Sequence, residues 1–353
     1  MDISQTSSTP RSARHRSQLL FVAMAGLVFL LFMTNLALGS VSIPLAQVWQ
    51  IIIRGSTDHA VYTNIVMQTR LPQAIVALGA GMALGIAGLM LQTLFKNPLA
   101  GPSVLGISSG ASLGVAFVVL LSGQMFGLTL SGLPFWGDMA VIAASLAGAL
   151  GVLMIILTIS SRVAGSLAVL IIGVMMGYLS NSIVGVFKYF SLEADVHSYV
   201  IWGLGSFNRL SLPRAILFGG VAVAVSAMMV FLSKPLNLLA LGDRYAQNLG
   251  LHTRRTRLLV ILGAGLLTAV VTAFCGPIAF IGMAVPHLAK LTFRTSNHLT
   301  LIVAAGLIGS GTALLCAILS RLPGLESALP INSVTAFVGA PVVISVILKR
   351  RSV

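Results

Sequence analysis

Apolar residues do not alternate with polar ones along this chain; they run in long blocks bounded by charge or by Gly/Pro clusters. Ten such blocks occur, at about 18–39, 71–94, 105–122, 137–160, 164–186, 213–233, 256–275, 277–293, 299–320 and 330–348. A helix crossing the hydrocarbon core needs about 20 apolar residues, and within lipid only helices and closed barrels satisfy the backbone. The pattern predicts an all-α polytopic membrane protein with about ten transmembrane helices. One transmembrane domain should fill residues 18–353, after a Ser/Thr/Arg-rich tail at 1–17 that reads as disordered. That tail and the first block resemble a signal peptide, but the apolar run Leu19–Leu38 is longer than the usual 7–15 residues. It is read as the first span.

Composition agrees. Only 8% of the 353 residues are charged and 57% are hydrophobic, whereas a soluble domain carries about 25% charged residues. Thirty-six glycines suit helices that approach closely in lipid. A net charge of +14 would suggest nucleic acid in a soluble protein, but the basic residues are neither clustered nor interleaved with aromatics. They sort by side instead. With the N-terminus in the cytoplasm, fifteen of the 21 basic residues fall inside; Arg54, Arg70, Lys188, Arg209, Arg214 and Arg321 fall outside. The positive-inside rule favours that orientation, and an even number of spans puts both termini in the cytoplasm. The acids avoid the spans altogether: Asp2 and Asp243 fall inside, and Asp58, Asp138, Glu193, Asp195 and Glu326 outside. An ion-coupled secondary transporter, the alternative class, usually needs intramembrane ionisable groups. Cys275 and Cys316 lie in apolar runs and read as buried small hydrophobes, with no disulfide or metal framework.

Two echoes and two false leads sharpen the reading. Gly79-Ala80-Gly81 and Gly263-Ala264-Gly265 each precede a Gly/Pro break, at Pro98–Pro102 and at Gly276-Pro277, and run in opposite directions, as in an inverted repeat. Gly106-Ile107-Ser108-Ser109-Gly110 matches the hydrolase elbow, but no acid is at hand for a triad. His287 is expected to be a helix-end histidine at the cytoplasmic edge. The five lysines precede Asn97, Tyr189, Pro235, Leu291 and Arg350, so none completes a P-loop. The chain is not expected to be an enzyme, and any ATP must be hydrolysed by another chain.

Four blocks are highly patterned. The first runs from Arg70-Leu71-Pro72 through Gln92 to Lys96-Asn97-Pro98-Leu99-Ala100-Gly101-Pro102 and Leu105–Ala111. The second is Leu238-Leu239-Ala240-Leu241-Gly242-Asp243 with Ala246 and Leu249-Gly250; the third is Cys275–Gly282 with Val285-Pro286-His287. The fourth is Leu329–Thr335, ending at Gly339-Ala340-Pro341. In this order they resemble the permease subunits of bacterial ABC importers for iron-siderophores, haem and cobalamin, from about residue 65 onwards.

The resemblance implies a multi-pass permease of the bacterial inner membrane, translocating an iron chelate such as a ferric siderophore or haem; cobalamin or oxyanions are the alternative cargoes. It implies a homodimer with a second copy of the chain, two ATPase subunits carrying ATP and Mg, and a periplasmic or lipid-anchored substrate-binding protein. It implies no cofactor or metal in this chain, no nucleic-acid partner, and membrane lipid around it. The cytoplasmic segment 234–257 corresponds to the elbow that docks on the ATPase, through Leu241, Gly242, Asp243, Ala246, Leu249 and Gly250. On the outer rim, Arg70 and Arg321, and less so Arg54, would receive carboxylates of the binding protein. Gln73 and Ala317 depart from the family, which often has arginine and aspartate there. The path is expected along Gly173, Met175, Met176, Ser180 and Asn181, with the Ser108-Ser109 turn beside it.

Overall fold

The computed structural model describes residues 10–39, 41–57, 59–126, 134–163, 166–321 and 328–350. Asp2, Asp58, Glu326 and Arg351 lie outside these residues, as do the side chains of Arg11, Arg14, Lys349 and Arg350. The described residues form helices and connections, with no strand among them. In order these are α1 (Pro10–Ala37), α2 (Leu45–Arg54), α3 (Ala60–Ile65), α4 (Leu71–Phe95), α5 (Ile107–Phe126), α6 (Pro134–Ser160), α7 (Ser166–Phe190) and α8 (Glu193–Gly203). They continue as α9 (Leu212–Met229), α10 (Ser233–Leu241), α11 (Asp243–Asn248), α12 (Thr253–Cys275), α13 (Ile281–Phe293), α14 (His298–Leu319) and α15 (Ile331–Arg350). Every apolar block of the sequence holds a helix. Among the described residues, seven stretches are long and apolar enough to cross a membrane, and Ile107–Leu121 and Ile331–Ser345 are shorter apolar helices.

Two blocks differ from expectation. α1 begins at Pro10, so part of the expected tail is helical. The block 277–293 is only partly helical: α13 has 13 residues, about 20 Å at 1.5 Å per residue, short of a core about 30 Å thick. Its first part is non-helical backbone, with Gly276 at φ 76° and Phe280 at φ 66°. Irregular backbone within a membrane needs protein partners, and Asn332 at the start of α15 supplies them. Its Oδ1 accepts from the Ala279 amide at 3.0 Å, and its Nδ2 donates to the carbonyls of Pro277 at 2.8 Å and Gly203 at 3.3 Å.

The connection from α4 to α5 is the counterpart break. It passes through a 3₁₀ turn at Pro102–Leu105 and the left-handed Gly106. His287 Nε2 lies 2.9 Å from the Pro98 carbonyl, which can only accept, so that nitrogen carries the proton. His287 is therefore a buried mid-helix residue of α13 that satisfies the break, not the helix-end residue the sequence suggests.

Helix contacts repeat twice under the exchange of α4 with α12, α5 with α13, α6 with α14 and α7 with α15. α4 packs on α14 as α12 packs on α6; α5 packs on α6 and α7 as α13 packs on α14 and α15; and α9 touches both α4 and α12. This is the inverted repeat that the two Gly-Ala-Gly segments hinted at. Hydrophobicity does not draw helices together in lipid, so close packing must. A Cβ at Gly81 would overlap the Gly309 carbonyl, and one at Gly88 the Gly282 carbonyl. α4 is the central column, its apolar window 83% buried against 17% for α1.

Contacts between helix ends define two faces. The elbow end gathers the start of α1, the ends of α4, α6 and α13, and the starts of α12 and α14, as shown by Phe21 on Phe293, Lys96 on Asp243 and Thr93 beside His298. The rim end gathers the end of α1, the start of α4, the α8 region and the ends of α12 and α14. Links there include Arg70 to the Leu36 carbonyl, the Ser206 amide to the Cys275 carbonyl and Arg321 to Asn35.

Candidate functional site

The elbow is built from the continuation of α9. A 3₁₀ turn at Val230–Leu232 leads into α10, and the chain reverses at Gly242 before α11. Gly242 has φ 120° and ψ 147°, a region occupied essentially by glycine alone. The next residue, Asp243, is the anchor: its carboxylate lies 3.8 Å from Lys96 Nζ and 3.3 Å from Arg257 Nη2. Such half-exposed pairs contribute about 0–1 kcal/mol each, so they orient α11 more than they stabilise it. Arg254 donates to the Ser161 carbonyl, tying the start of α12 to the end of α6. Ala246 is fully buried and its amide donates to the Gly242 carbonyl at 2.8 Å. Leu241, Tyr245 and Leu249 instead remain 63%, 56% and 54% exposed. The elbow is thus anchored from below, and its uncovered side presents Leu241, Tyr245 and Leu249 among the exposed polar residues Arg244, Gln247 and Asn248.

Midway along the bundle, the α4–α5 break packs against α7. A hollow of about 250 Å³ there is lined by Ser103, Val104, Gly106, Gly173, Tyr178 and Asn181, among others. Met175, Tyr178 and Asn181 are exposed on the outward face of α7. Gly173 is buried where it admits the Leu105 backbone, Ser180 is buried, and Met176 packs on the core. Ser108 Oγ sits 3.3 Å from Thr272 Oγ1 on α12, and Ser109 Oγ lies beside Gly177.

At the rim end, Arg70 is 2% exposed. Its guanidinium donates to the carbonyls of Leu36 and Ala37, each at 2.8 Å, and to that of Val41. Leu36 and Ala37 carry acceptors of the kind a helix leaves unmet at its C-terminus, so Arg70 closes α1 and ties it to the following loop at Val41. Arg321 donates to Asn35 Oδ1 at 2.9 Å; burial, with Arg70 nearby, pulls it down to about 10, still cationic at neutral pH. Arg54 ends α2 and is exposed. α2 buries Val48 and Ile51 but exposes Leu45, Trp49 and Ile53, the habit of a helix lying in the membrane interface. A separate hollow at the rim, about 300 Å³, is lined by Gln73, Ser206, Asn208, Arg209 and Ser320, among others.

The model of the FecCD transport family matches residues 12–349. The chain belongs to the FecCD transport family. It is 36% identical over 287 residues to the vitamin B12 import system permease protein BtuC of Citrobacter koseri, covering 81% of this chain and 83% of that protein. The BtuC of Photorhabdus laumondii is 37% identical over 290 residues, covering 81% and 82%. Among solved structures, an inward-facing metal-chelate type ABC transporter aligns with a TM-score of 0.80 at 27% identity, covering 94% of this chain and 99% of that one. The protein is thus a multi-pass permease of a bacterial ABC importer and is not itself catalytic; such a permease works with ATPase and binding-protein subunits.

Within this FecCD permease the predicted site residues divide. Leu241, Gly242, Asp243, Ala246, Leu249 and Gly250 do form one elbow, but Ala246 is a packing residue and Gly250, at φ 84°, a turn residue. Sequence reasoning missed Tyr245, whose aromatic ring amid the polar run Asp243–Asn248 was the available signal. Gly173 and Asn181 line the α7 hollow and Ser109 lies beside its Gly177, whereas Met176 and Ser180 face inward because the helix period carries them to the packed side. Arg70 differs from the rim expectation in its placement: it is 2% exposed and bonded to the carbonyls of Leu36, Ala37 and Val41, so it presents almost no open surface at the rim.

Proposed function

We propose that this permease imports a cobalamin-class metal chelate across the bacterial inner membrane, with the elbow end in the cytoplasm and both termini on that side. The uncovered elbow carries the reading: Leu241, Tyr245 and Leu249, exposed among polar neighbours on a charge-anchored segment, make a mixed surface that suits a partner protein. Two ATPase subunits, holding ATP and Mg, dock there. Two copies of the chain face each other through α7 and α15, whose exposed Met175, Tyr178 and Phe337 would otherwise have only lipid to meet. The α7 hollow then borders the path. The sequence alone favoured an iron chelate, but the vitamin B12 permeases among the relatives favour cobalamin. Binding-protein docking passes from Arg70 to the rim hollow. Arg209 there donates to the Ile201 carbonyl at 3.1 Å and is only partly covered. Burial lowers its pKa, with Cys275 and Asp138 acting the other way.

In cells lacking their own cobalamin importer, this chain with its ATPase and binding protein should restore uptake of labelled cyanocobalamin. Unlabelled cobalamin should compete at least tenfold better than ferric siderophore or haem, and Arg209→Glu should weaken uptake at limiting substrate. Efficient competition by a ferric siderophore with none by cobalamin would return the cargo to iron.

A further inference from the structure

A cavity of about 470 Å³ opens at the elbow end between α4, α10, α13 and α14, separate from the α7 hollow. Lys96, Lys290 and Arg294 line it together with Gln92, His287 and His298, and its lining contains no carboxylate. Asp243 touches Lys96 from outside, at 3.8 Å, and is shared with Arg257. The enclosed space is therefore strongly cationic.

Two further observations point to a ligand. Among the described residues only Lys96, Phe280 and Arg294 are non-glycine residues with positive φ, and two of those three are cations of this cavity. Each closes a helix at the position where glycine is the usual occupant. A cation standing in a conformation that favours glycine points to a use for its side chain. The second observation is Gln92, 3% exposed, whose Nε2 donates to the Met283 carbonyl at 3.0 Å while its Oε1 has no partner. Buried acceptors are nearly always satisfied. A bare anion would meet the cations and leave Oε1 orphaned; an anion carrying a hydroxyl would satisfy both. At the α14 N-terminus His298 N and Leu299 N already donate to Asn237 Oδ1 at 2.8 Å and Asn297 Oδ1 at 2.9 Å, so the cationic side chains are the main donors facing the cavity.

We propose that this cavity binds the glycerol phosphodiester headgroup of an anionic phospholipid, phosphatidylglycerol in chemical class. Its phosphate lies among Lys96, Lys290 and Arg294, and a glycerol hydroxyl donates to Gln92 Oε1. The location fits: the cavity sits at the helix ends, where a bilayer presents phosphate, and basic clefts between helices at that level suit anionic headgroups. Occupancy would brace α13 and α14 beside the Lys96–Asp243 link to the elbow.

The test uses the purified full chain in detergent, titrated with short-chain phosphatidylglycerol, phosphatidylcholine of the same chain length, or soluble glycerol 3-phosphate, with binding read by native mass spectrometry. Phosphatidylglycerol should bind at least tenfold more tightly than phosphatidylcholine, and glycerol 3-phosphate should not compete at equal concentration. Arg294→Gly removes the charge and relieves the left-handed residue. It should weaken phosphatidylglycerol binding at least fivefold without lowering the lipid-free melting temperature, and Lys290→Gln should weaken binding similarly. Equal binding of the two lipids, or unchanged binding in both variants, would refute the proposal. Equal competition by glycerol 3-phosphate would assign the site to a free phosphate instead. Loss of ATPase co-purification in Arg294→Gly with phosphatidylglycerol binding intact would assign it to the partner protein.

Discussion

Aspartate at Leu241, Tyr245 and Leu249 together is expected to leave the protein at wild-type levels in the membrane and to strip it of its ATPase. Each of these side chains is more than half exposed, so their loss removes little from the fold. Against a docked partner the balance differs. Fully burying a large apolar side chain contributes about 1.5–3 kcal/mol, and burying an unpaired charge in its place adds a further cost. A combined loss on the order of 4 kcal/mol corresponds to about a thousandfold in affinity. Co-purification of the ATPase should disappear and uptake should fall to background. Ala246→Arg, by contrast, should lower the amount of folded protein, because Ala246 has no exposed surface. If the triple variant retained its ATPase and transported normally, the elbow would not be the coupling site.

Leucine at Gly88 is expected to be the most damaging single change in the membrane domain. A Cβ at this position would occupy the space of the Gly282 carbonyl, and Gly282 is itself pressed against Pro102. Both inserted breaks therefore meet at one backbone contact between α4 and the start of α13. Neither neighbour is a flexible side chain that could swing aside. Overpacking usually costs about 1–3 kcal/mol; displacing backbone on both sides should exceed that range. Gly151→Leu is the matched control, since nothing lies within 4 Å of a Cβ there. Fluorescence-detected size exclusion should show aggregation or loss of the Gly88 variant and a normal peak for the control.

Much of this architecture is legible in the sequence because one solvent dominates it. Lipid demands long apolar helices, so each apolar block marked a helix, and the scarcity of mid-span acids argued against ion coupling. Hydropathy reports environment, however, and not conformation. Residues 277–280 are as apolar as a helix yet non-helical, because Pro277 offers no amide and Asn332, more than fifty residues away, bonds the Ala279 amide and the Pro277 carbonyl. The short helices α2 and α8, of 10 and 11 residues, escaped notice in stretches assigned to outer loops, because they fall well short of the run of about 20 apolar residues that marks a span. Arg70 shows a second limit. Its position at a helix start was plain, but whether its guanidinium faced outward or back onto α1 depends on carbonyls some thirty residues earlier in the chain. Gly242 was recognised as part of a motif; that it must be glycine is a statement about φ that only the folded chain makes.

Coupling of the elbow to the ATPase is tested most directly by cysteine cross-linking in membranes carrying the assembled importer. Both native cysteines, Cys275 and Cys316, are fully buried, so single reporters can be added without removing them. Tyr245→Cys marks the elbow and Tyr189→Cys, 83% exposed near the rim, marks the opposite face. The expected result is a cross-link from position 245 to the ATPase subunit, altered by addition of ATP, with none from position 189. A cross-link to the ATPase from position 189, with position 245 reached instead by an impermeant reagent from outside, would contradict both the elbow assignment and the orientation built on it.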